Sequence, residues 1–253
     1  SCAAGHHFYE GRWLRTPAYL DDYARFWFRH GGSPRNYSFW AADSIHQRAC
    51  VSGDFSVGQD LLPELVANYH AWETGWEKPP QPWFCTLPRR DGRGLFWQVD
   101  TGDGMEFSIG GHGYRPSFNS YMYADARAIA AFAQQAGRTA LARTFAADAD
   151  TLKRLVQETL WDPQLQFFVT YVNEAGAQPH YDWQQFAPHI YPAGARVDVR
   201  EAIGFVPWAF NLPDAGYEAA WAQLTDPAGF RAPYGPTTAE QRHRNFRYAH
   251  THD

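Results

Sequence analysis

The chain of 253 residues is 45% hydrophobic, enough for one large domain or two small ones with a sizeable core, which excludes a disordered chain. With 22 Lys and Arg against 27 Asp and Glu, the net charge of −5 gives no pull toward phosphate backbones and excludes nucleic acid as a first partner. Aromatic residues reach 17%, and many adjoin polar groups, a composition suited to a polar cleft lined with rings.

In chain order, Thr16 is placed to cap a helix with Pro17 at its first position, and Leu20, Tyr23, Trp27 and Phe28 recur at helical spacing until Gly31 and Gly32 stop it. A second, partly buried helix is predicted over 39–51. A third is marked by Leu61, Leu62, Leu65, Val66, Tyr69 and Trp72 and ends near Gly75. The proline-rich run that follows cannot stay helical. Residues 83–118 form a Gly- and aromatic-rich stretch, long enough to predict a functional loop or a small sheet element. Asn119 or Ser120 is expected to cap the cleanest helix, running to Gln135 and stopped by Gly137. Another over 139–160 follows at once, and the two make an antiparallel hairpin. A short β-excursion is expected over 167–172, and further helices around 199–210 and 215–224. The sum is an all-α succession of hairpins with long loops, the pattern of an α/α toroid.

Chemistry concentrates in residues 97–116. Asp100, Asp103 and Glu106 lie close together among glycines that let a backbone approach a ligand. Cleaving a glycosidic bond needs one carboxylic acid that keeps its proton near neutral pH and a second, ionised carboxylate across the sugar. Apolar neighbours such as Met105 and Phe107 favour the protonated form. The competing reading is that Asp and Gly here shape turns or bind a cation. Trp40 and Asp43, three apart on a helix and preceded by Tyr37, could stack on a sugar and accept its hydroxyls; the bland alternative makes Trp40 core and Asp43 a local cap. In the third constellation Arg200, Glu201 and Trp208 stand near a helix start, where charges are usually structural. Cys2, Cys50 and Cys85 are too few and scattered for a disulfide scaffold, and no His array fits a metal, so no metal or organic cofactor is expected. No stretch approaches the roughly 18 apolar residues of a membrane span, so no membrane partner is expected.

Three of these segments resemble motifs of the (α/α)6-barrel glycosidases, the group of trehalase, processing α-glucosidase and bacterial mannosylglycerate hydrolase. Gly104-Met105-Glu106-Phe107-Ser108 resembles their Ser-Gly-x-Asp-x-Ser segment, whose Asp is the general acid. Trp40-Ala41-Ala42-Asp43-Ser44 resembles their Trp-x-Trp-Asp-Ser motif, which lines the nonreducing-sugar subsite. Ile203-Gly204-Phe205-Val206-Pro207 is similar to their Gly-Phe-x-Pro segment. Glu106 stands where these relatives have Asp, Asp103 replaces a Ser, and Ala42 replaces the second Trp.

The resemblance implies a single catalytic-type (α/α)6-toroid domain over 1–253, incomplete at both ends, closest to the mannosylglycerate-hydrolase-like domains of bacterial polysaccharide-degrading enzymes. It implies an inverting hydrolase of oligo- or polysaccharides. Glu106 is then the acid and Asp103 its pKa partner; Trp40, Asp43, Tyr37, Arg115, Glu201 and Trp208 contact the sugar. The general base is expected beyond Asp253, since the loop over 234–240 resembles the one leading to it. Analogy with such enzymes suggests a periplasmic or secreted role. The alternatives are a non-catalytic carbohydrate-binding or scaffold module, a sugar epimerase or lyase on the same fold, and a helical interaction domain.

Overall fold

The computed structural model describes residues 2–74, 89–98, 102–105, 108–172 and 191–246. Helices dominate its first two thirds: α1 (Cys2–Gly11), α2 (Ala18–Arg29), α3 (Ala41–Ser52), α4 (Ser56–Asp60) and α5 (Leu62–Thr74) precede the long pair α6 (Pro116–Gln135) and α7 (Thr139–Leu160). Between α5 and α6 lies a three-stranded antiparallel sheet, β1 (Arg89–Arg90), β2 (Phe96–Gln98) and β3 (Gly113–Tyr114), with Arg90 opposite Phe96 and Trp97 opposite Tyr114. Isolated bridges from Tyr114 to Tyr171 and from Tyr171 to Arg196 extend the pairing. Strand β4 (Trp161–Asp162) pairs with β5 (Phe167–Phe168), and β6 (Arg231–Ala232) with β7 (Gly235–Pro236). The three-stranded sheet falls in the stretch expected to hold a functional loop or a small sheet element, and β5 in the expected excursion, while β6 and β7 had no expectation; the architecture is helix-rich with few short strands.

Helix α6 is the central element, packing on α7, α3 and α5. Its first half is buried on every side, including Ser117, Asn119, Ser120 and Asp125. A helix apolar or buried all round belongs in a core, and each of these polar groups accordingly finds a partner. Asn119 accepts from Phe96 N at 2.8 Å and donates to Phe96 O at 2.9 Å, which ties β2 to the helix. That contact corrects the expected cap. Pro116 occupies the first turn, where its missing N–H costs nothing, so the helix begins before Asn119 and Ser120. At the other end Gly137, at φ +71, takes the left-handed conformation, and Arg138 N bonds Ala133 O at 2.8 Å to close a Schellman-type cap. α7 restarts at Thr139, the expected position.

Other boundaries shift for local reasons. α2 begins at Ala18 with Pro17 as its cap residue, and Thr16 contributes no cap bond. α1, with Ala4 and Phe8 on its buried face, had no sequence expectation. The helix expected over 199–210 breaks into a 3₁₀ turn (Ala202–Phe205) and the short α8 (Val206–Ala209). Here Gly204 lies against β5, where a Cβ would stand 2.2 Å from Phe168 O, and Glu201 bridges Ala239 in extended pairing. The helix expected over 215–224 is a 3₁₀ helix, Glu218–Leu224. No described helix is long and apolar enough to cross a membrane.

Candidate functional site

The connection from β2 to β3 carries the segment expected to hold the acid. Its described residues are 102–105 and 108–112; Asp100, Thr101, Glu106 and Phe107 lie outside the described residues. Because β2 and β3 are paired neighbours, both ends of this loop are fixed, the usual setting for a functional loop on a rigid scaffold.

The loop is tied down from inside by Arg115, the cap residue of α6. Arg115 and Asp103 are both 0% exposed and form an ion pair with Nε to Oδ2 at 3.1 Å. Ser117, in the first turn of α6, donates to the same Asp103 oxygen, and Gly104 N donates to Oδ1 at 2.8 Å. The remaining guanidinium nitrogens of Arg115 reach Ser108 Oγ at 2.8 Å, Gly111 O at 2.6 Å and Met105 O at 3.0 Å. A buried charge is tolerated where it is paired and fully hydrogen-bonded, and this fork spans the loop from residue 103 to residue 111.

From outside, Glu201, 3% exposed, accepts Ile109 N at 2.7 Å and Gly110 N at 3.2 Å. On the far side Gly113, at φ +147, lets the chain pass so close to Tyr171 that a Cβ would lie 2.4 Å from its carbonyl oxygen.

Tyr37 donates to Asp103 O, and Ser38 donates from N and Oγ to Gly102 O at 3.2 and 2.6 Å. The stretch ahead of α3 is thereby joined to this loop. Trp40, 4% exposed, packs against Tyr121 at 4.7 Å between ring centroids, His6 at 5.1 Å, Phe210 at 6.0 Å and Tyr9 at 6.1 Å. Asp43 in the first turn of α3 accepts from Tyr9 OH and from Gln47 Nε2 at 3.2 Å. Beneath it, Asp125 of α6 accepts Asp43 N at 2.9 Å, satisfying one of the free N–H groups at the start of α3. Trp208 lies in a ring cluster with Trp221 at 5.2 Å and Phe168 at 5.4 Å, and Phe210, two residues on, makes the link to Trp40.

Burial pushes the Asp125 carboxyl well above its usual range and raises Asp43 as well, the opposing effect on Asp125 coming first from the Asp43 amide. Two carboxyls side by side in a dry setting resist joint ionisation. Burial also lowers His46, favouring its neutral ring.

The structure thus brings Asp103, Arg115, Tyr37 and Glu201 around one loop, and Trp40 and Asp43 into an adjoining aromatic corner. Tyr9, Tyr121 and Asp125 of that corner escaped sequence reasoning. The available signal was the pair Tyr121 and Asp125, four apart on one face of the expected helix. Among the described residues no cluster of three His, Cys, Asp or Glu side chains could hold a metal ion.

Residues 1–252 match the model of the family described as mannosylglycerate hydrolase MGH1-like glycoside hydrolase domain. A solved structure named "Sialidase" is 39% identical with a TM-score of 0.81, over 98% of this chain and 21% of its own. The GH63 mannosylglycerate hydrolase from Thermus thermophilus, solved in complex with glucose, is 15% identical with a TM-score of 0.59, over 86% of this chain and 58% of its own. An uncharacterized conserved protein from the same organism is similar to the same degree, at 15% and 0.59. This chain therefore spans about a fifth of the first of these proteins and under two thirds of the other two. No protein of curated function matches it. With a family model covering the chain almost end to end, the protein belongs to the MGH1-like glycoside hydrolase domain family.

Proposed function

We propose that this domain supplies the general acid of an inverting glycosidase acting on an oligo- or polysaccharide, on an (α/α)6 toroid. The observation that carries the reading is convergence. Motifs far apart in the sequence meet at the N-terminal end of α6, through Tyr37 and Ser38 on residues 102–103, Glu201 on residues 109–110 and Phe210 on Trp40. Likeness to the GH63 hydrolase supports the toroid.

Glu106 is the acid in this reading. It follows Met105, whose carbonyl Arg115 holds, and precedes Ser108, whose hydroxyl accepts from the same guanidinium. Such an acid protonates the departing glycosidic oxygen while a second carboxylate activates water across the ring. Asp103 serves the acid through the loop, since its side chain is fully enclosed by Arg115, Ser117 and Gly104. Trp40 and Asp43, with Tyr9 and Tyr121, form the sugar-holding corner.

Replacing Glu106 with Gln in the full-length protein tests this directly. Reducing-sugar release from a panel of unactivated oligosaccharides should fall ~10²–10⁴-fold, the usual worth of general-acid help. Release at the wild-type rate would remove Glu106 from the role.

A further inference from the structure

We propose that Arg115 and Glu201 are positioning residues, a cation inside the loop and an anion outside it, which together fix the geometry of the acid-bearing loop and do not touch the sugar. The proposal rests on the reading that this loop carries the general acid.

Both residues are charged groups in a cleft protein, so the ready alternative is that they grip sugar hydroxyls. The geometry points elsewhere. Arg115 is 0% exposed, and its nitrogens go to Asp103, Ser108, Gly111 and Met105, in directions only a planar fork can serve at once. Glu201, also buried, meets successive backbone amides of the loop, at 2.7 and 3.2 Å. Gly110 makes room for this approach, since a Cβ there would stand 2.7 Å from Glu201 Oε2 and displace the carboxylate from the amides. The two ties reinforce one another through Gly111, which follows the amides held by Glu201 and whose carbonyl Arg115 holds.

Proton donation in a transition state is sensitive to placement, and a misplacement of about 1 Å can cost ~10²-fold in rate without any change in what is bound. Loosening either tie should therefore lower kcat and leave KM unchanged, the pattern of an interaction realised only in the transition state. It should also do so selectively. A sugar joined to a poor leaving group needs the acid, whereas one joined to an activated aryl group departs without a proton.

The experiment compares wild type with Gly110→Ala, Glu201→Gln, Arg115→Lys and Glu106→Gln in the full-length protein. The probes are an unactivated disaccharide and the dinitrophenyl glycoside of the same sugar, and folding is monitored by thermal melting. The expected result is a loss of ~10²-fold in kcat on the disaccharide for each loop variant, with KM and the aryl glycoside rate near wild type. The alkaline limb of the pH profile should move in the same variants. Should Arg115→Lys fail to fold, Gly110→Ala and Glu201→Gln carry the test alone. Equal losses on both substrates, or a rise in KM, would overturn positioning in favour of sugar contact. If Glu106→Gln shows the leaving-group selectivity and the folded loop variants do not, the positioning proposal falls and the acid assignment stands. If Glu106→Gln itself lacks the selectivity, the assignment of the acid falls first.

Discussion

The α6–α7 hairpin and the segment over 191–246 differ in how much of their joining is apolar and how much is charged. In the hairpin, Phe132, Phe145, Leu152, Val156 and Leu160 interlock as buried apolar side chains at helical spacing. In the later segment the elements are 3₁₀ turns, the four-residue α8 and two-residue strands, and charged ties supplement a small apolar cluster of Val197, Val199, Ala220, Phe230 and Ala239. Arg200 meets Glu240 Oε2 at 2.5 Å and the Leu165 carbonyl at 2.7 and 2.9 Å, while Arg242 pairs with Glu240 at 3.3 Å and with Asp226. Periodic apolar burial leaves a trace in the sequence. A charge that reaches across forty residues leaves none, and the difference explains where reading the sequence succeeded.

The contrast can be broken first in the hairpin. Phe132 is fully buried against His46 and Phe55 and fills the space beside Gly58, so Phe132→Ala should cost ~3–5 kcal/mol in denaturant unfolding. A loss below ~1 kcal/mol would deny the hairpin its apolar foundation. In the later segment Glu240→Ala strips Arg200 of a carboxylate that takes both its backbone N–H, at 2.9 Å, and its guanidinium. The expected cost is ~1.5–3 kcal/mol, since bonds to charged groups are worth that much. Being buried, the pair should respond little to added salt, and a strongly salt-dependent loss would mark it as a surface contact.

The smallest effect belongs to the carboxyl corner under α3. Burial holds the Asp125 pKa above that of the unfolded chain, so the folded state binds the proton more tightly. Stability from this group is complete below the ordinary Asp range and declines as pH rises toward the folded value. Asp125→Asn keeps an oxygen for the Asp43 amide and removes the titration. Its unfolding free energy should fall less steeply than that of wild type as pH rises from about 4 toward neutrality. Parallel pH curves for the two proteins would contradict the raised pKa.

Much of the fold was legible because its elements announce themselves. α7 falls on its expected residues, and Gly137 stops α6 where a left-handed residue is needed. The start of α6 was misplaced because Asn119, a good cap in isolation, is consumed by β2. The 199–210 helix failed because Gly204 and the extended Glu201 serve tertiary partners that spacing cannot reveal. In the site, the motifs singled out both the 97–116 segment and the Trp40 stretch, and the structure joins them through Tyr37 and Ser38. What they could not convey is that Arg115, Asp103 and Glu201 face the protein rather than solvent, because direction depends on contacts between distant segments.

The central claim is that the loop between β2 and β3 is held rigidly by Arg115 and Glu201, and amide hydrogen exchange on the full-length protein reads it without any substrate. The amides of Gly104, Ile109, Gly110 and Gly111 each donate to a side-chain oxygen and should exchange far more slowly than the exposed turn amide of Gly92. Glu201→Gln should release Ile109 and Gly110 while sparing Gly104. Exchange of all four amides as fast as that of Gly92 in the wild-type protein would contradict the account.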